Sequence, residues 1–279
     1  MPGTLYLVST PIGNLEDITS RAVRILGQVD LIACEDTRQT RKLLNHYGID
    51  KPTASYHAHN EAGRSAWLIE KILAGASVAL VSDAGTPLVS DPGFVLVRDA
   101  IDRGITVIPV PGPSALLAAL AASGLPSDTF YFAGFLPAKA AQRRKTLEKL
   151  QPLACTLVFY EAPHRILDTL SDLAEVFGER PVALARELTK VHEEFLRGTA
   201  ISIRDVLAAR PAVKGEFSVI VGAAAPSGET PPDPAAIRAA VNELLRQGVP
   251  RMEAIKAAGR AYGLSKRQVY RITEEFIRR

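Results

Sequence analysis

Val78-Ala79-Leu80-Val81-Ser82-Asp83-Ala84-Gly85-Thr86-Pro87-Leu88-Val89-Ser90-Asp91-Pro92-Gly93 is the stretch that decides the fold. Four apolar residues in a row, bounded by turn formers, read as a strand buried on both faces, the pattern of a parallel sheet covered by helices. The strand cannot run on. Gly85 permits a positive φ, Pro87 fixes φ, and Asp91-Pro92-Gly93 breaks the chain again before Phe94 opens a new apolar run. Carboxylates, hydroxyls and free amides therefore gather at the carboxyl end of a strand, where open α/β sheets bind their ligands.

The same punctuation recurs on either side. Strands are predicted at residues 4–9, 29–34, 53–56 and 105–110, each followed by a turn and a helical pattern. The first exits at Thr10-Pro11-Ile12-Gly13-Asn14, the second at Glu35-Asp36-Thr37-Arg38, the third at His57-Ala58-His59-Asn60-Glu61 and the fifth at Pro111-Gly112-Pro113-Ser114. Ser114 reads as the N-cap of an Ala/Leu-rich helix ending near Gly124. Five strand-helix alternations predict a parallel five-stranded sheet with helices on both faces. All five exits then share one edge, which puts Pro11, Glu35, Asp36, His57, Asp83 and Ser114 around one rim.

From about residue 125 the elements shorten and the pattern becomes mixed, as in a second α/β lobe. Strands are predicted at 130–135, 156–160, 182–188 and 217–221, with a basic helix over 139–150 that carries Arg143, Arg144 and Lys145 in a row. Residues 223–234, rich in Ala, Pro, Ser and Gly, read as a linker. Beyond it three short helical patterns form a helix-turn-helix-like unit, with Lys266, Arg267 and Arg271 on the last. The domain expectation is 1–124, 125–225 and 226–279.

A chain of 279 residues with 47% apolar and 23% charged side chains is an ordinary globular composition. Its two cysteines, Cys34 and Cys155, sit in apolar runs, which argues against a disulfide framework or a cysteine-rich metal site. His57-x-His59 lacks a cysteine partner and reads as polar lining, so no metal is expected. No run approaches a membrane span and the start lacks a signal-peptide pattern, so the cytoplasm is the expected location. Net charge is only +3, yet residues 235–279 hold ten Lys/Arg against four Asp/Glu, leaving the remainder at −3. A basic tail on a slightly acidic body suggests a polyanionic partner.

A Gly-x-x-x-x-Gly-Lys-Ser/Thr loop, a Gly-x-Gly-x-x-Gly turn after strand one and a Gly-x-Ser-x-Gly elbow do not occur. P-loop, dinucleotide and serine-hydrolase chemistries lose their usual signatures. The rim suits a small zwitterionic, partly apolar ligand. Amides after Ser114 favour a carboxylate or phosphate at a helix N-terminus. Asp83 suits a cation or ribose hydroxyls, and Tyr160, Ala185 and Gly215 suit an apolar slot over a base. S-adenosylmethionine is one compound with these parts.

These stretches, with Glu161-Ala162-Pro163-His164-Arg165, Arg186-Glu187-Leu188-Thr189-Lys190-Val191-His192-Glu193-Glu194 and Lys214-Gly215-Glu216-Phe217, follow one another in an order that resembles a family. It is the branch of the tetrapyrrole methylase superfamily that methylates the ribose 2′-oxygen of a cytidine in 16S ribosomal RNA, and the resemblance spans nearly the whole chain. It implies a two-lobed methylase fold with a small C-terminal helical domain, S-adenosylmethionine between the lobes, a homodimer, and the small ribosomal subunit as partner. Carried over by position, Pro11, Asp83, Thr86, Ser114, Ala115, Tyr160, Glu161, Ala185, Lys214 and Gly215 are the expected cofactor contacts. Glu35, Asp36, His57 and Lys190 are the rim candidates for taking the hydroxyl proton. Arg38, Arg143, Arg144, Lys145, Lys266, Arg267 and Arg271 are the expected RNA contacts. Two alternatives stand beside this reading. One is methylation of a small tetrapyrrole-type molecule on the same scaffold, which the basic tail argues against; the other is a non-catalytic nucleic-acid-binding sensor of a metabolite.

Overall fold

The computed structural model describes residues 2–224 and 233–274. The chain divides into two compact units, residues 1–224 and 225–279. The first unit holds two five-stranded sheets. Strands β1 (Thr4–Val8), β2 (Leu31–Cys34), β3 (Thr53–Ser55), β4 (Val78–Val81) and β5 (Thr106–Val110) form a sheet in the order β3-β2-β4-β1-β5. Every pairing in it is parallel.

Alternation along these strands sends side chains into two cores. Ile32, Cys34, Ala79 and Val81 face α1 (Ser20–Gln28) and α2 (Thr37–His46) through Ala22, Ile25, Leu26 and Leu44. Leu31, Ala33, Val78 and Leu80 face α3 (Glu61–Leu73) and α4 (Phe94–Asp102) through Leu68, Ile69, Ile72 and Leu96. β2 and β4 are buried at every position, as a doubly covered parallel sheet requires. Thr19 caps α1 and Asp36 caps α2, each accepting a backbone N–H in the first turn.

The second sheet comprises β6 (Phe130–Phe135), β7 (Thr156–Glu161), β8 (Val182–Arg186), β9 (Glu194–Gly198) and β10 (Phe217–Val221), ordered β6-β7-β10-β8-β9. Only β6 and β7 are parallel; the rest pair antiparallel, giving a mixed sheet. Helices α6 (Ala140–Leu150), α7 (Ile166–Phe177) and α8 (Ala200–Ala208) cover one face. β9 is an element the sequence pattern did not predict. Its Glu-Phe-Leu-Arg-Gly run alternates poorly, and its pairing with β8 is what defines it.

Helix α5 (Ala115–Ser123) follows β5 but packs on the other face of the second sheet. Ala119 and Leu120 meet Val158, Ala183, Ala185 and Ile220. Its residues are apolar all round, so it can leave the first sheet and cover the second. The last residue of β5 thus hands the chain from one sheet to the other at Pro111-Gly112-Pro113-Ser114.

The second unit contains α9 (Pro234–Arg246), α10 (Arg251–Ala261) and α11 (Lys266–Glu274) around Ile237, Val241, Ala254, Ile255, Ala258 and Val269. Asp233 caps α9 with Pro234 at its first position. The part of the last predicted helix beyond residue 274 lies outside the described residues, as does most of the predicted linker.

Candidate active site

The loop leaving β4 is fastened to the loops leaving β1 and β5. Thr10 and Gly85 exchange backbone hydrogen bonds of 2.8 and 2.9 Å, an isolated antiparallel bridge. The Thr10 hydroxyl donates to the Ser82 carbonyl at 3.1 Å. Ser9 and Thr86 share a hydroxyl pair at 3.1 Å, and the Thr86 hydroxyl also donates to the Pro113 carbonyl at 3.3 Å. Gly85 has φ 80°, the left-handed value the sequence reading required of it. Leu88 and Ser90 adopt φ near 70° as well, although neither is glycine. Such conformations cost of order 1–3 kcal/mol each and persist only where the surroundings over-determine them. One restraint is Glu61, whose carboxylate accepts the Gly93 N–H and the Tyr56 hydroxyl, both at 3.0 Å. Sequence reasoning assigned Glu61 no role; it lies in a strand exit, and its partner Gly93 is 32 residues away.

Between the two sheets of the first unit lies a cavity of about 460 Å³. The β4 loop contributes Asp83, Gly85, Thr86, Ser90 and Asp91; the start of α5 contributes Ser114 and Ala115. Phe135, Tyr160, Pro163, Leu188 and Phe217 supply an apolar wall from the second sheet. The Tyr160 hydroxyl accepts the Leu116 N–H at 3.0 Å, so β7 is anchored on the N-terminus of α5. Burial raises the Tyr160 phenol above its ordinary range, and nearby Asp91 adds to the effect.

Of the expected cofactor contacts, Asp83, Thr86, Ser114, Ala115, Tyr160 and Glu161 line this cavity. Pro11, Lys214 and Gly215 do not; their neighbours Ile12 and Glu216 do. Ala185 is displaced further, because its alternation in β8 turns it into the core beneath α5, where it is fully buried. Glu161 is present but engaged. Its carboxylate accepts from the Ala162 N–H at 2.8 Å, Arg165 Nε at 2.8 Å and the Thr169 hydroxyl at 2.7 Å. It holds the turn that carries Ala162 and Pro163 into the wall. Asp91 and the apolar residues of β6 and β10 were not among the expected contacts; Asp91 stood in the opening motif, whereas Phe135 and Phe217 look like any strand residue.

Glu35, Asp36 and Asp83 come together at the carboxyl edge of the parallel sheet. Asp83 Oδ1 accepts the Asp36 N–H at 2.9 Å. Asp36 also accepts from Arg38, through its backbone N–H at 2.8 Å and its guanidinium at 2.9 Å, and these bonds hold its carboxyl below the usual range. Glu35 is half-buried; desolvation first, then the Asp83 charge, push its carboxyl up. Asp91 is pushed up to about 6 by burial, then by Glu35.

His57 is held by Asn60. Asn60 Oδ1 accepts the His57 backbone N–H at 2.9 Å, and Asn60 Nδ2 donates to the Ser55 carbonyl at 3.3 Å, which fixes the amide orientation. Nδ2 then faces His57 Nε2 at 3.2 Å, so Nε2 accepts and the ring proton sits on Nδ1. That Nδ1 is buried with no protein partner. With Nε2 taken by Asn60 and Nδ1 buried, His57 has no ring nitrogen open to a substrate hydroxyl, a correction to its expected role as a base. Lys190 is an engaged cation, bonded to Glu187 at 2.9 Å and Glu216 at 3.0 Å, and it too is corrected from base to tie.

The basic run on α6 divides. Arg143 is 3% exposed and bonded to Asp172 at 2.6 Å and to the Ala138 carbonyl at 3.2 Å, so it presents no surface charge. Arg144 shares Asp172 at 3.0 Å, and Lys145 alone stands free in solvent. The expectation that Arg143 meets RNA is corrected by its burial. Arg38 is exposed. Lys266 and Arg271 are exposed on α11; the side chain of Arg267 lies outside the described residues.

Residues 4–203 match the model of the Tetrapyrrole (Corrin/Porphyrin) Methylases. The chain is 49% identical over 274 residues to ribosomal RNA small subunit methyltransferase I of Halalkalibacterium halodurans, covering 97% of this chain and 94% of that one. It is 50% identical over 271 residues to the protein of the same name from Mesorhizobium japonicum, covering 96% and 90%. A solved relative in fold is uroporphyrin-III C-methyltransferase of Thermus thermophilus complexed with S-adenyl homocysteine, with TM-score 0.53 and 21% identity over 79% of this chain and 97% of that chain.

Proposed function

This chain belongs to the tetrapyrrole (corrin/porphyrin) methylases, and on that footing we propose that it methylates the ribose 2′-oxygen of a cytidine in 16S ribosomal RNA with S-adenosylmethionine as donor. The observation that carries the reading is the cavity between the sheets, which joins carboxylates, helix-terminal amides and an aromatic wall in one space.

The residues present fit that donor. The N-terminus of α5, the positive end of the helix dipole, suits the carboxylate. Asp83 places negative charge where a cationic group or ribose hydroxyls need it, and Phe135, Pro163, Leu188 and Phe217 form a slot for a flat base. When bound, S-adenosylmethionine supplies a methyl group already activated on a cationic sulfur. The chain's own work is to hold the ribose hydroxyl in line, exclude water and receive a proton. Positioning alone accounts for roughly 7–11 kcal/mol of barrier reduction in well-oriented reactions.

Arg38 stands at the rim beside Asp36, and Lys145, Lys266 and Arg271 offer exposed positive charge for phosphates. We place the protein in the cytoplasm as a homodimer; among the described residues no helix is long and apolar enough to cross a membrane. The exposed apolar residues Leu117, Phe130 and Tyr131 favour a partner surface on the first unit. The decisive experiment is transfer of tritiated methyl from S-adenosylmethionine to unmodified small-subunit RNA and to assembled small subunits. The expected label resists alkaline cleavage at one linkage, and label on a base nitrogen or carbon overturns the ribose assignment.

A further inference from the structure

The proposed reaction leaves one task unassigned: a group must take the proton of the ribose hydroxyl as its oxygen gains the methyl. Three of the four rim candidates are spent. Asp36 is bonded to Arg38 and caps α2. Lys190 is a cation between two carboxylates. His57 accepts from Asn60 at Nε2 and has no lone pair left at Nδ1. Glu35 remains, but the cavity wall does not include it.

Asp91 does form part of that wall. Its position is enforced from both lobes. On one side Ser90 is held at φ 69° and Gly93 by the Glu61 carboxylate. On the other, a Cβ at Gly134 of β6 would come within 3.1 Å of the Ser90 hydroxyl oxygen, so the second sheet packs hard against this turn. Glu35 from the β2 loop, Ser82 and Asp83 from its own loop, and Tyr160 from β7 lie near enough to Asp91 to interact with it electrostatically. None of these is a cation.

We propose that Asp91 is the catalytic residue that accepts the ribose hydroxyl proton, and that Glu35 is a positioning residue that keeps Asp91 a competent base. The inference rests on the methyltransferase reading above. As the new oxygen–carbon bond forms, the carbon–sulfur bond of the donor breaks and its electron pair stays on sulfur, which becomes a neutral thioether. The hydroxyl proton passes to the Asp91 carboxylate and from there to solvent. A carboxylate whose proton affinity lies near neutrality is a stronger base than an ordinary one and is still ionised at the working pH. Burial and the neighbouring Glu35 charge give Asp91 that character, with its midpoint at about 6.

The test uses the full chain. In ligand-free protein labelled with carboxyl-¹³C aspartate, the resonance lost in Asp91→Asn should titrate at about 6, and Glu35→Gln should move it to lower pH. The same displacement should appear in the acid limb of the kcat profile. Asp91→Asn should lower kcat by about 10²–10⁴-fold with unchanged calorimetric affinity for S-adenosylhomocysteine, and Asp91→Glu should recover part of the rate. Three results overturn the proposal alone: transfer that survives Asp91→Asn, a resonance titrating at the ordinary 3.8, or lost S-adenosylhomocysteine binding in a folded Asp91→Asn. Absence of any transfer by the unaltered chain overturns the methyltransferase reading and the proposal with it.

Discussion

Asp83 Oδ1 accepts the backbone N–H of Asp36 at 2.9 Å, joining the loops that leave β4 and β2. One oxygen of a cavity-lining carboxylate therefore fixes the rim while the charge remains available to a ligand. The two roles are separable. Asp83→Asn keeps an acceptor for the Asp36 N–H and removes the charge. We expect its melting temperature to stay near that of the unaltered chain, while affinity falls more for cationic S-adenosylmethionine than for its neutral thioether product. Asp83→Ala also leaves the Asp36 N–H unpaired, at a cost of about 1–3 kcal/mol. Its stability and its affinity for both compounds should fall. Calorimetry with the two compounds and thermal unfolding check both variants, and equal losses of affinity for both compounds in Asp83→Asn would count against a charge role.

The first-strand loop and the loop after β8 meet at Gly13. A Cβ there would lie 2.5 Å from Lys190 Cγ and 3.0 Å from the Thr189 hydroxyl oxygen. Lys190 has little room to yield, since Glu187 and Glu216 both hold its ammonium and Thr189 already sits at φ 67°. Gly13→Ala should therefore break at least one of these ion pairs and destabilise the protein by about 1–3 kcal/mol, the usual range for overpacking. Adding Lys190→Ala removes the obstructing stem. The double variant should be more stable than the sum of the single changes implies, and denaturant unfolding of all four proteins measures the coupling.

Arg143 and Lys145 are two residues apart on α6 and should respond oppositely to alanine. Arg143→Ala takes the 2.6 Å partner from the buried Asp172 carboxylate and leaves it Arg144 alone, which should cost about 1–3 kcal/mol of stability. Lys145→Ala should leave stability within about 0.5 kcal/mol. It should instead flatten the dependence of RNA affinity on salt, by roughly one unit of slope if Lys145 meets one phosphate. Filter binding over a salt series, paired with thermal unfolding, separates the two outcomes.

The first sheet was legible because its rule is local. Val78–Val81 is four apolar residues between turn formers, and each of the other parallel strands is a short β-prone run that ends in turn residues, so the shared rim followed from the strand-helix alternation. The second sheet was less legible because its pairings are not written in one segment: β9 is a strand by virtue of β8. The same distinction runs through the site. Asp83, Thr86 and Ser114 are exposed by their loops and turn chemistry, and each lines the cavity. Ala185 fails on a question of register that a single strand does not answer. Arg143 fails because its partner Asp172 is 29 residues distant, and nothing in a run of three basic residues tells which one folds inward. What engages the His57 ring is an amide three residues on, whose orientation is fixed by the Ser55 carbonyl and the His57 backbone N–H.

The raised proton affinity of Asp91 also has a consequence for stability. Its folded midpoint of about 6 lies above the ordinary 3.8, so the folded chain binds this proton more tightly than the unfolded one does. The associated stabilisation is fully present below about pH 4 and is lost as pH rises through about 6. Above that, the folded state carries a partly buried carboxylate beside Glu35 and Asp83. Asp91→Asn is neutral at every pH and escapes the penalty. Allowing for partial exposure, we expect a gain of about 1 kcal/mol at pH 8, hence a rise of roughly 2–4 °C in melting temperature for a unit of this size. The gain should shrink by pH 5 and disappear by about pH 4. A variant that loses activity while gaining stability marks a residue kept at a strained or charged position for its chemistry. Thermal unfolding of Asp91→Asn and the unaltered chain at pH 4, 5 and 8 checks the sign, and a variant less stable than the unaltered chain at pH 8 would contradict the buried-carboxylate account.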